Sequence, residues 1–179
     1  SLGNVINPMN LIDDYGVDPV RYYLMREMVL GQDANFTLES FIKRYNSDLA
    51  NDFGNLLSRI TTLVKKNFAS ILPEPGKLTQ PELDIRSSAE DLVELVNDKI
   101  RSMNINDAIE EIFQFIRSVN RYMEYQAPWK LIKEDKSSAG RVLYTAAESL
   151  RISAMLLSPV MPNRTRDLFH ALNNDSISP

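Results

Sequence analysis

The chain contains no cysteine, one histidine and one tryptophan among its 179 residues. Without thiols there are no disulfides, no thiolate metal sites and no cysteine nucleophile, a composition suited to a reducing compartment. A histidine-based metal cluster is excluded. A Ser/His/Asp triad would have to rest on His170 alone, which in the context DLFHAL reads as an ordinary helix-surface residue. No apolar run reaches the length of a membrane-spanning helix. The opening SLGNVINP lacks an initiator methionine, a basic and apolar leader and a small-residue cleavage site, so it is expected to carry no secretory signal and to be a piece of a longer protein. With 44 % hydrophobic and 25 % charged residues, the sequence suits one soluble globular core with a small appendage.

The net charge of −4 disfavours a generic nucleic-acid coat, but the charges are unevenly placed. Seven acids stand against Lys77 and Arg86 between Glu74 and Asp98. Bases predominate both from Lys43 to Lys66 and from Arg117 to Lys136. If those two stretches lie side by side, one face can still address a phosphate backbone.

From residue 38 onward the pattern is helical. Thr37 can cap a helix with Glu39 in its first turn, and Phe41, Tyr45, Leu49, Phe53, Leu56, Ile60 and Leu63 recur at steps of three or four. These predict one long helix ending before Pro73. After the connector LPEPGKLTQPEL, the residues Leu83, Ala89, Leu92, Leu95, Val96 and Ile100 mark a second helix. Asn104 or Asn106 can cap a third, striped by Ile105, Ile109, Ile112, Ile116, Val119 and Met123. Ser137 or Ser138 opens a fourth, lined by Val142, Leu143, Ala146, Leu150 and Leu157 and stopped by Pro159 and Pro162, and a short helix covers roughly Arg164 to Leu172. Four amphipathic helices with short connectors predict an antiparallel bundle. Ahead of it, Val5 and Ile6 could form a very short strand, DPVRYYLMREM a helix, and Asn35 and Phe36 a second short strand. The expected fold is mostly α: an antiparallel helix bundle over residues 38–172, a small α/β lead-in over 1–37, and a disordered or cut tail at 173–179.

Two places carry chemistry. In NRYMEYQAPWKL, Pro128 must interrupt the third helix near Ala127 and restart it, which sets Trp129 at an elbow. The indole there can either plug a gap between helices or stack on an external partner. On the first long helix Asp48, Asp52, Asn55, Arg59, Thr62 and Lys66 follow steps of three and four and are expected to share one face. Asn55 and Arg59, one turn apart, offer an amide with donor and acceptor and a rigid guanidinium fork, which suit the edge of an unstacked base and its phosphate. A solvated flank of ordinary ion pairs uses the same spacing.

Three segments resemble methionyl-tRNA synthetases. SLGNVINPMNLIDDYGVDPVRYYLMREM is similar to the segment that follows the KMSKS signature loop, with Ser1 resembling its last serine. RYNSDLANDFGNLLSR resembles the first helix of the family's anticodon-binding domain, and NRYMEYQAPWKL its second anticodon-facing motif. The resemblance spans residues 1–172 and departs at Ala34, where the related GxDGDF pattern has glycine. It implies a stem-contact role for residues 1–37, to whose helix Asp18, Arg21, Tyr22 and Tyr23 belong; packing and interdomain ion pairing are the competing use of those four. It also implies that Asn55, Arg59 and Trp129 recognise the CAU anticodon of tRNA(Met), chiefly its cytosine. The family's nucleotide-binding fold and the lysines of KMSKS would precede Ser1. The fragment is therefore expected to have no catalytic residue, metal or cofactor of its own, and to serve a cytoplasmic, ATP-dependent ligase whose catalytic domain is its partner alongside tRNA, with no membrane involved. Two other readings are the anticodon domain of a related class I synthetase and a helical protein-interaction module in which the Trp129 elbow grips a peptide.

Overall fold

The structure, a computed structural model, describes residues 7–33 and 36–172. Asn7 caps the first helix, α1 (Pro8–Tyr15), its side chain accepting from the Met9 amide at 2.9 Å. Gly16, at φ 87°, turns the chain into α2 (Val17–Glu27). The capping box of Thr37 and Ser40 starts α3 (Leu38–Arg44). The chain then continues without a break through a π-helical stretch, Tyr45–Gly54, into α4 (Asn55–Asn67). Successive residues Ala69 and Ser70 at positive φ close that rod. A second capping box, Thr79 with Glu82, opens α5 (Gln80–Arg101). Asn104 precedes α6 (Ile105–Gln126), and Ala127, in the left-handed region, ends it. Pro128 starts α7 (Pro128–Glu134) at its first position. The Asp135 carboxylate accepts the Ser138 amide at the head of α8 (Lys136–Leu157), and α9 (Pro162–Ala171) completes the described chain.

The bundle is formed by α4, α5, α6 and α8 around one core. Three residues join α5 to α6, which forces the two to run antiparallel. The stripe read on α6 is its interior: Ile109, Ile112, Ile116, Val119 and Met123 are all buried, as are Val142, Leu143, Ala146, Leu150 and Leu157 of α8. On α5 the stripe is narrower than expected. Ala89, Leu92 and Val96 face the core, while Leu83, Leu95 and Ile100 are exposed.

Two expectations are met only in part. The lead-in contributes the helical pair α1 and α2, and no strand occurs among the described residues, so its α/β character is not confirmed. Val5, Ile6, Ala34 and Asn35 fall outside the described residues. Phe36 is irregular and packs its ring edge-on against Tyr23 at 5.6 Å. The long first helix is also not a uniform α-helix. Through the π-helical stretch each carbonyl bonds five residues on, as the Asn55 amide does to Ala50, so the chain winds more slowly than 3.6 residues per turn and the side-chain phase slips. The slip divides the expected stripe between two cores. Phe41 and Tyr45 join Leu11, Val20 and Tyr23 of the lead-in, whereas Phe53, Leu56 and Ile60 enter the bundle.

The lead-in is bolted to the bundle by its own polar side chains. Asp18, buried, accepts from the Arg164 amide at 2.7 Å and from the Asn163 side chain at 3.1 Å, capping α9. Arg21 donates to the carbonyls of Pro159 and Val160. Tyr22 enters the main core against Phe113, its hydroxyl donating to Asp48 at 2.6 Å. The Tyr23 hydroxyl pairs with Ser40. All four residues are thus engaged in packing and capping inside this chain.

Candidate nucleic-acid interface

The polar face expected on the first long helix divides at the π-helical stretch. Asp48, inside that stretch, turns inward and is buried, paired with Tyr22, Ser47 and Arg44. Its carboxylate and the surrounding apolar wall push the Tyr22 hydroxyl far above the usual tyrosine range, burial being the larger cause. Asp52 is half-buried against Arg117 of α6 at 3.3 Å, and burial raises its pKa in spite of that partner. The Asn120 side chain donates to the Asp52 carbonyl at 3.0 Å, tying the slow turn to α6. Beyond the slip, Asn55, Thr62 and Lys66 are exposed. Arg59 is half-buried.

Arg59 leaves α4 to meet the elbow after α6. Its guanidinium carbon stands 5.0 Å from the centroid of the Trp129 ring, and its Nη2 is 2.8 Å from Glu124 Oε1. A guanidinium over an indole face is held by the ring quadrupole as well as by the carboxylate beside it. Trp129 is half-buried and so does not serve as a core plug alone. Its position follows from the backbone: Ala127 at φ 45° swings the chain, and Pro128 fixes the first turn of α7. The arrangement is therefore an exposed amide at Asn55, a cation one turn on at Arg59, and an aromatic plane under that cation. Glu124, the fourth member, was not anticipated in the sequence. It lies within the NRYMEYQAPWKL segment, but only the crossing of α4 and α6 shows that it pairs with Arg59.

Among the described residues no cluster of His, Asp or Glu could hold a metal ion, and no helix is long and apolar enough to cross a membrane.

A helical bundle with a helical lead-in, in which a guanidinium and an indole meet at an inter-helix elbow, has the architecture of a class I tRNA synthetase's anticodon-binding domain. Residues 1–61 match the family model of tRNA synthetases class I (M), and residues 72–178 match that of the anticodon binding domain of methionyl tRNA ligase. The chain belongs to this methionyl-tRNA ligase family. It is 41 % identical over 174 residues to the methionine–tRNA ligase of Caldanaerobacter subterraneus subsp. tengcongensis, covering 96 % of this chain and 27 % of that protein. To the Mycobacterium leprae enzyme it is 38 % identical over 179 residues, covering 98 % of this chain and 33 % of the relative. The structure superposes on Mycobacterium tuberculosis methionyl-tRNA synthetase in complex with methionyl-adenylate with a TM-score of 0.90 at 34 % identity, covering 94 % of this chain and 34 % of that one. The chain thus spans about a third or less of the length of the relatives it matches.

Proposed function

We propose that this chain is the part of a cytoplasmic methionyl-tRNA ligase that reads the CAU anticodon of tRNA(Met), while ATP binding and methionine activation reside in a catalytic domain outside it. In this reading residues 1–37 contact the tRNA stem side and the catalytic domain and residues 38–172 hold the anticodon; 173–179, expected as a disordered or cut tail, lie outside the described residues. Asn55 and Arg59 address the edge of the first anticodon base, and Trp129 stacks on its face.

The observation that carries the proposal is the contact of Arg59 with Trp129, with Asn55 exposed one turn earlier on the same helix. An unstacked base needs a plane to lie on and hydrogen-bonding groups at its rim, and these three side chains supply both. Stacking on an aromatic ring is worth about 1–3 kcal/mol per base, so one indole with two polar readers can set a strong preference without a strongly basic surface. An exposed Asn55 favours RNA over a peptide ligand, for which a continuous apolar patch would be needed.

Trp129 is the only tryptophan, so its fluorescence reports the site directly. Titration with a CAU anticodon stem-loop should quench it and saturate, and a loop with the first base changed should bind markedly more weakly. Equal affinity for both loops would overturn the reading.

A further inference from the structure

Arg121 and Tyr125 form a second feature on the outside of α6, towards the end where Trp129 follows. Tyr125 lies in the last turn of the helix with 86 % of its surface exposed, and Arg121, one turn earlier, is also exposed. Among the described residues neither side chain has a hydrogen bond, an ion pair or a ring contact. Three of their neighbours on the helix are engaged: Arg117 with Asp52 and Glu110, Tyr122 with Glu82, and Glu124 with Arg59. Those pairings fix the orientation of the helix. Glu124 faces α4 and Tyr122 faces α5, so Arg121 and Tyr125 fall on the stripe opposite the core, one turn apart on the same face.

A large aromatic ring left almost wholly in water costs solvation without any return from packing inside this chain. Next to an unpaired guanidinium it has the chemistry of a single-stranded RNA contact, a π-face for a base and a fork for a phosphate oxygen. Trp129 lies only four residues on, across the Ala127 elbow, which limits the separation of the two Cα atoms to about 14 Å.

We propose that Tyr125 and Arg121 are a second, sequence-independent element of the RNA interface, in which Tyr125 stacks on a loop nucleotide adjoining the base presented to Trp129 and Arg121 holds the phosphate beside it. The proposal rests on the anticodon reading above. It adds a nucleotide to the footprint and assigns that nucleotide affinity without base preference.

The test measures binding of labelled anticodon stem-loops, with an intact loop or with single abasic positions in it, to the full-length protein. Tyr125→Ala should bind the intact CAU loop roughly 5- to 150-fold more weakly, the range expected for one lost stack. Tyr125→Phe should bind like the native protein. Arg121→Ala should weaken binding and lower the salt slope by about one unit. The preference for CAU over a changed first base should survive all three variants, and one abasic loop should bind the native protein and Tyr125→Ala alike. Native affinity of Tyr125→Ala for RNA would overturn the proposal and leave the ring to a protein partner. Loss of CAU preference in Tyr125→Ala would overturn it too, because the residue would then be a base reader. Failure of the anticodon reading gives a different pattern: Trp129→Ala would keep the CAU preference, whatever Tyr125→Ala does. Absence of any stem-loop binding by the native protein would overturn both.

Discussion

Glu124 and Trp129, five positions apart on either side of the α6–α7 elbow, hold the same guanidinium: Arg59 is 2.8 Å from the carboxylate of one and 5.0 Å from the ring centroid of the other. On the proposed anticodon reading, a base that stacks on Trp129 has to share this space with Arg59, and Glu124 would compete with RNA for the cation. The Glu124 side chain is 64 % exposed, so the pair contributes little to stability. Glu124→Gln should accordingly leave the melting temperature unchanged while strengthening stem-loop binding about two- to fivefold at low salt. Weaker binding by this variant would mean that the carboxylate orients Arg59 for RNA instead of competing for it.

Packing and recognition separate cleanly along α6 and α7. Ile116 is completely buried and Ile112 nearly so, and truncating either to alanine should cost about 2–5 kcal/mol by opening a cavity. Trp129→Ala should cost less, because the ring is only half-buried. Thermal melts of the three variants decide the matter, and a Trp129→Ala protein that does not fold would return the indole to the core.

The slow turn before Asn55 depends on Gly54. A Cβ built there meets the Leu49 carbonyl oxygen at 3.0 Å, tighter than ordinary packing and with backbone on the other side. Gly54→Ala should therefore weaken the π-helical stretch in spite of the better helix propensity of alanine, and a local return to α-helical winding would rotate Asp48 relative to Asn55 and Arg59. We expect a loss of about 1 kcal/mol in stability, together with weaker stem-loop binding. Unchanged Trp129 fluorescence and unchanged RNA affinity would show that the reader positions do not depend on this turn.

The acid limb of stability should carry the signature of Glu82. Its carboxylate is buried, which by itself raises its pKa, but Thr79, the Tyr122 hydroxyl at 2.6 Å and Arg141 stabilise the anion more, and the net effect is a lowered value. The folded state then binds this proton less readily than the unfolded chain does. The contribution is present above the ordinary glutamate value of about 4.3 and is lost as pH falls through the lower folded value. Urea melts from pH 7 down to 3 should show the native protein losing its advantage over Glu82→Gln across that interval. A stability gap that is constant with pH would refute it.

Much of this was readable in the sequence because the relevant signals are local. The Ile109–Ile112–Ile116–Val119–Met123 stripe, the stop at Ala127 with the restart at Pro128, and the Thr37 cap each depend on residues within a turn or two. The spacing of Asn55 and Arg59 survived for the same reason: both lie beyond the slip. Asp48 did not, since a step of four places it on the Asn55 face only if every turn is an α turn, and no local residue pattern announces i→i+5 bonding. Glu124 and Arg59 illustrate the other limit. Each has several exposed-pair partners conceivable from sequence, and the choice is made by how α4 crosses α6.

The basic end of α4 offers the sharpest contrast between positioning and reading. Lys65 and Lys66 are exposed in its last turn, about 15 Å along the axis from Asn55 at 1.5 Å per residue, and on the proposed reading they would address the backbone of a bound stem-loop. Replacing either with alanine should weaken CAU and non-CAU loops equally and shallow the salt dependence by up to about one unit, because each can release at most one condensed counterion. Asn55→Ala and Trp129→Ala should behave in the opposite way: the salt slope stays, and the preference for CAU over a loop with its first base altered shrinks by roughly 1–3 kcal/mol. Arg59→Ala should do both, since a guanidinium forks between a base edge and the backbone. Titrations of the five variants against both loops at several salt concentrations separate the two behaviours. Equal losses on both loops for every variant would reduce this surface to an electrostatic cradle and remove Asn55, Arg59 and Trp129 from the role of readers.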